Sequence, residues 1–150
     1  MSALKQELLN HCLSNIEERI DRLEQEMEAL KRSAESDTKS SMGDKYETGR
    51  EMINLEKGKI AEQLNETIRM RQALLSIDAD KKNEIGALGA LITTAQAMYF
   101  MATSIGKVSL GDQDFFVISP VSPIGQQLLN KKVGDQISFA GKEIALLNIE

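Results

Sequence analysis

Five residues near the first third of the chain have the types to make ionic or apolar contacts with a partner: Asp37, Lys39, Met42, Asp44 and Lys45. They fall in the polar stretch Ser33–Met52, SAESDTKSSMGDKYETGREM, which holds no run of apolar residues. Its carboxylates are hydrogen-bond acceptors and its lysines are donors. Met42 is the apolar exception, free to enter a pocket or to fold back on its own loop. The plain alternative is that these side chains only solvate a connection. Other reactive groups are sparse. His11 is the only histidine, so a His-based triad or a multi-His metal site lacks its components. Ser122 has no nearby base and no G-x-S-x-G setting, which makes it a cap or contact and not a nucleophile. The single Cys12 excludes an intramolecular disulfide, fits a reducing compartment, and reads as a small apolar residue beside a helix seam.

The polar stretch needs elements to present it. Before it, Leu9, Leu13, Ile16, Ile20, Leu23, Met27, Leu30 and Ala34 follow spacings of 4, 3, 4, 3, 4, 3 and 4, a heptad seam without Pro or Gly. Charged residues such as Glu17, Glu18, Arg22 and Glu24 flank it. After the stretch, Tyr46, Gly49, Ile53, Ile60, Leu64, Ile68, Leu74 and Leu75 give a looser stripe with polar residues at some seam positions. Asp44 or Thr48 suits the cap of that second helix. Two stripes of comparable length joined by a polar connection predict an antiparallel hairpin over residues 1–80, with its tip near 35–47. Pairing between two copies of the chain is the alternative.

Beyond Lys81-Lys82-Asn83 the helical period stops. Strands are expected near Ala87–Thr93, Ala97–Thr103, Asp114–Ile118, Gln136–Phe139 and Glu143–Ile149, with turns at Gly111–Asp112 and Gly141–Lys142. Ser122 suits an N-cap and Pro123 a first helical position, so a short helix should follow them. Residues 81–150 therefore read as a small α+β domain. Ile85–Gly106 carries no charge and is long enough to span a bilayer, but its glycines and threonines make it too polar and interrupted for a membrane helix. A net charge of −5 does not suit a free nucleic-acid binder. Aromatic residues are 4% of the chain, a poor supply for an aromatic-lined pocket.

In its order of parts the chain resembles the Gre family of bacterial transcription elongation factors (GreA/GreB-like). The carriers are the heptad coil, the polar tip before Tyr46, ETGREMINLEKGKIAEQL, and above all SPIGQQLLNKKVGDQISF. In the last, Ser122-Pro123-Ile124, Leu128-Leu129, Lys131-Lys132 and Gly134-Asp135 are similar to the family's SPI-x-x-x-LIGK-x-x-GD stretch. The resemblance implies a coiled-coil hairpin followed by an FKBP-like (FK506-binding-protein-like) α+β domain. It also implies a cytoplasmic, monomeric partner of RNA polymerase, with RNA or DNA contact only inside the transcription complex and no membrane. Ser122, Pro123 and Ile124 would belong to the polymerase-docking surface, and the hairpin tip would reach into the enzyme's secondary channel.

The family's activity uses two tip carboxylates, three residues apart in D-L-S-E-N-A-E-Y, that help hold Mg²⁺ for transcript cleavage. Mg²⁺ prefers hard oxygen ligands, and two carboxylates can share it with RNA phosphates. Aligned on Tyr46, those positions hold Lys39 and Met42. Lys39 repels a cation and Met42 is a poor ligand. Asp37 and Asp44 remain nearby but stand seven residues apart. The expectation is a regulator that binds polymerase and is not itself an enzyme, with no cofactor beyond the polymerase's own Mg²⁺. Lys39 would meet an acidic site or an RNA phosphate directly. The alternatives are a cleavage factor that uses Asp37 or Asp44, and a self-associating coiled-coil adaptor built on Leu9–Leu30. Prolyl isomerase activity ranks low, because Tyr99, Phe100, Phe115, Phe116 and Phe139 are the domain's only aromatics.

Overall fold

The computed structural model describes residues 2–40 and 44–150, with side chains for 3–35 and 49–150. Two long helices, α1 (Ser2–Ser40) and α2 (Asp44–Leu75), lead the chain. Both run further into the polar stretch than its composition suggests. Glu35–Ser40 contains no Gly or Pro, so nothing there breaks the helix. A mixed sheet with one short helix follows: β1 (Leu91–Thr94), β2 (Met98–Met101), β3 (Gly106–Leu110), β4 (Gln113–Ile118), α3 (Pro123–Leu128), β5 (Gln136–Phe139) and β6 (Lys142–Ile149). The chain divides into two compact units, Asn15–Arg71 and Met1–Ser14 with Gln72–Glu150.

The unit Asn15–Arg71 is the helical hairpin. Ile16, Ile20 and Leu23 of α1 are buried, and Met27, Leu30 and Ala34 are half-buried, so the expected seam is the packed face. On α2 the covered positions include Ile53, Lys57, Ile60, Leu64, Thr67 and Arg71, spaced 4, 3, 4, 3 and 4. Lys57, Thr67 and Arg71 lie on this seam although they are polar. Thr67 is buried because its hydroxyl donates to the main-chain oxygen of Gln63, 2.6 Å away, which removes an unpaired polar group. Arg71 Nη1 donates to both carboxylate oxygens of Glu17 at 3.4 Å, joining α2 to α1. That pair is partly exposed and contributes no more than about 1 kcal/mol. Leu75, expected on the stripe, is 65% exposed, one position beyond buried Leu74.

The other unit is an α+β domain. Its sheet runs β3-β4-β2-β1-β6-β5, and β2–β4 is the parallel pair among antiparallel ones. One face packs on α3 through Ala90, Ile92, Met101, Ile124, Leu128, Ile137, Ile144, Leu146 and Ile149. Leu91, Phe100 and Val117 pair in register on the opposite face and are also buried. The parts of α1 and α2 that belong to this unit bury Leu8, Leu9, Cys12 and Leu74.

Three expectations need correction. The apolar run from Ala87 begins as turns, and β1 starts only at Leu91. Gly86 explains this. Its N–H donates to Lys131 O at 2.9 Å and its carbonyl accepts from Asn130 N at 2.8 Å, so its backbone is committed outside the sheet. A Cβ at Gly86 would meet Leu128 O at 1.9 Å, so only glycine fits this approach. Secondly, Gly106–Leu110 forms the edge strand β3, which was not expected. Thirdly, the last hairpin turns at Ala140–Gly141, one residue earlier than expected, with φ of 53° and 77°. Two left-handed residues suit the tight turn that matches strand twist.

No helix of the described residues is long and apolar enough to cross a membrane.

Candidate functional site

The backbone places Asp37 and Lys39 in the last turns of α1, and Asp44 and Lys45 in the first turn of α2. Their side chains and all of Met42 lie outside the described residues. Three residues, 41–43, separate the two helices, so the five candidates belong to one end of the hairpin. Around that end the described part of α2 exposes Met52 (66%) and Leu55 (69%).

The second group, Ser122, Pro123 and Ile124, builds the start of α3. Ser122 has extended backbone, with φ −68° and ψ 160°, and its Oγ accepts from the Gly125 N–H at 3.1 Å. The same hydroxyl donates to Ser119 O at 2.6 Å. It is therefore fully used as a cap. Pro123 occupies the first turn, where a missing N–H costs nothing. Ile124 points into the core beside α3. Of the three, only Pro123 is exposed, and Val121 next to the group is 78% exposed. Sequence reading passed over Val121 because an isolated valine in a loop carries no periodic signal. Gly125 permits the bend, since a Cβ there would stand 2.1 Å from Ser119 O. Downstream, Asp135 Oδ2 accepts from Lys132 N at 2.8 Å and Gly134 has a φ of +92°, so Gly134-Asp135 shapes a turn.

Lys5 was not singled out by sequence. It is 2% exposed, and its Nζ donates to the main-chain oxygens of Lys81 at 2.7 Å and Glu150 at 3.2 Å. Burial holds its pKa below the ordinary lysine value, against the opposing pull of Glu150 and Asp78. A cavity of about 550 Å³ opens beside it, lined by Ala79–Glu84 and Asn148–Glu150. The available signal was spacing: Lys5 stands three and four residues before Leu8 and Leu9, on the apolar face of α1.

Remaining titratable groups have local explanations. Burial pushes the Cys12 thiol up to about 11, which suppresses its thiolate at neutral pH. Asp114 accepts from Ser109 Oγ at 2.6 Å and pairs with Lys107 Nζ at 3.3 Å, and these contacts hold its carboxyl below the usual range. Among the described residues, no three His, Cys, Asp or Glu side chains are placed to hold a metal ion.

No protein-family model matches the chain, and no curated protein matches it. Two solved structures are similar in outline. One is the GreA factor homolog 1 (Gfh1) protein of Thermus thermophilus, with 18% identity, a TM-score of 0.36, and coverage of 92% of this chain and 94% of that one. The other is described as the transcription factor Gfh1, with 19% identity, a TM-score of 0.35, and 92% of each chain covered.

Proposed function

We propose that this chain is a regulator of transcription elongation that binds bacterial RNA polymerase. Its α+β domain docks on the enzyme and its hairpin tip enters the secondary channel, without adding a carboxylate pair for transcript cleavage. The observation that carries the reading is the stretch from Ser122 to Asp135. In it, the residues that resemble the Gre family have definite jobs: Ser122 caps α3, Pro123 starts it, Ile124 and Leu128 anchor it, and Gly134-Asp135 turns the chain toward β5. The tip supports the second half of the proposal. Lys39 and Met42 stand where the family has carboxylates, and neither can share Mg²⁺ with RNA phosphates. An ammonium at that place is suited to a phosphate or an acidic protein site.

The test is capture of purified core RNA polymerase by the full chain, followed by an RNA-cleavage assay on backtracked complexes. Binding without cleavage above the polymerase's own rate is expected. Binding with cleavage would transfer the metal role to Asp37 or Asp44. Failure to bind would remove the polymerase reading.

A further inference from the structure

We propose that the cavity beside Lys5 binds a small zwitterion, a free amino acid with an apolar side chain. Its volume of about 550 Å³ lies in the range of small-molecule sites. Its walls belong to one compact unit, Met1–Ser14 with Gln72–Glu150. The charges on those walls select the ligand. Among the described residues, Lys5, Lys81 and Lys82 face the cavity together with Asp80, Glu84 and Glu150, three charges of each sign. Walls balanced in this way favour neither a polyanion such as a nucleotide nor a metal ion. They complement a molecule that carries one charge of each sign. Depth then orders the groups. Lys5 is buried, whereas Asp80, Lys81, Lys82 and Glu84 are exposed at the mouth.

Lys5 has unfilled capacity for a carboxylate. An ammonium carries three N–H donors. Two of them hold Lys81 O and Glu150 O, and the third has no partner among the described residues. Burial disfavours this charge, and a ligand carboxylate would offset that through a charge-assisted hydrogen bond. The opposite need stands in the same wall. Glu150 Oε1 is buried and has no hydrogen-bond partner among the described residues. A ligand ammonium supplies the donor that this carboxylate lacks, and Asp80 and Glu84 at the mouth attract the same charge. Ala79 and Ile149, 5% and 9% exposed, give the apolar part of the wall. None of these residues belongs to the hairpin tip or to Ser122–Ile124, so the inference is independent of the polymerase reading.

The test titrates the isotope-labelled full chain with L-leucine, with isocaproate (the carboxylate alone) and with isoamylamine (the ammonium alone), read by NMR shift changes. Leucine is expected to move the amides of residues 79–84 and 148–150, with both single-charge analogues at least about tenfold weaker. No response to leucine up to about 10 mM would overturn the site. Isocaproate binding as tightly as leucine would overturn the zwitterion in favour of a plain anion. Two variants separate the ends of the ligand. Lys5→Met, with its fold checked by circular dichroism, should abolish the response to leucine. The double variant Asp80→Asn/Glu84→Gln changes only exposed side chains. It should weaken leucine at least about threefold and leave isocaproate unchanged. Wild-type affinity for leucine in a folded Lys5→Met, or in the double variant, would overturn the assignment of that end.

Discussion

Lys5 Nζ donates to the main-chain oxygen of Glu150 at 3.2 Å, across a sequence separation of 145 residues. The same ammonium holds Lys81 O at 2.7 Å, so one side chain joins the start of α1, the segment after α2, and the residue after β6. Replacing Lys5 with Met keeps the apolar stem and deletes the donor. The expected loss is about 1–3 kcal/mol by urea denaturation, since two partly buried carbonyls lose a charged donor. The sign of the pH effect follows from the lowered pKa. Below it, folding carries the full cost of burying a charge. As pH rises from the folded value toward the ordinary 10.5, the unfolded chain holds more protons and the wild type gains stability relative to Lys5→Met. A constant difference across that range would remove this account.

Cys12 titrates in the opposite sense. Its thiol is pushed up to about 11 from an ordinary 9, so above pH 9 the unfolded chain ionises first and folding loses free energy as pH rises. A Cys12→Ala variant should show a flatter alkaline stability profile than the wild type. In the native protein at pH 8, a thiol reagent should label Cys12 only at the rate of opening, and rapid labelling would contradict its burial.

Two glycines should respond with opposite signs to alanine. At Gly86 a Cβ would lie 1.9 Å from Leu128 O, so Gly86→Ala should cost about 3 kcal/mol as neighbouring backbone shifts. At Gly58 nothing lies within 4 Å, and the residue sits inside α2. Gly58→Ala should therefore stabilise by roughly 0.5–1 kcal/mol. Thermal melts of the two variants give the comparison directly.

Ser122→Ala should cost about 1 kcal/mol, because the Gly125 N–H loses its acceptor. Ser122→Thr keeps a hydroxyl that can accept from Gly125 N–H and donate to Ser119 O, and should recover most of this. If polymerase capture falls with Ser122→Ala and returns with Ser122→Thr, the role of Ser122 is to position α3. Capture at the wild-type level in Ser122→Ala would separate the cap from the interface.

The double change Lys39→Asp/Met42→Glu restores two acidic positions three residues apart. Cleavage in backtracked complexes should rise above the wild type in the presence of Mg²⁺. Unchanged cleavage with retained binding would show that the tip chemistry differs by more than these two residues.

Sequence legibility varied with the locality of the forces involved. The seam of α1 was readable because Leu9 to Ala34 repeats without interruption. The seam of α2 was partly hidden, since Lys57, Thr67 and Arg71 occupy its positions and are covered only through hydrogen bonds or long side chains. The Ser122–Pro123 helix start was readable because a cap is made within four residues. Edge strand β3 escaped notice because Val108 is its one fully buried residue, and it is flanked by Lys107 and Ser109. The turns before β1 depend on Asn130 and Lys131, more than forty residues away, which no local pattern reveals. Lys5 is on the apolar face of α1 by its spacing to Leu8 and Leu9, but its partners Lys81 and Glu150 are as remote in sequence. At the tip, sequence gave the residue types of Lys39 and Met42, and their side chains lie outside the described residues.

The strand order has a consequence for biosynthesis. β6 lies between β1 and β5, so the sheet is incomplete until residues up to Ile149 have left the ribosome. Before then β1 and β2 can pair, but β1 presents an open edge to solvent or to a chaperone. The helical hairpin draws on Asn15–Arg71 and is free to assemble much earlier. A nascent chain stalled near residue 135 should thus carry a formed coil and an unfinished sheet, which makes the strands β5 and β6 the step that commits the domain.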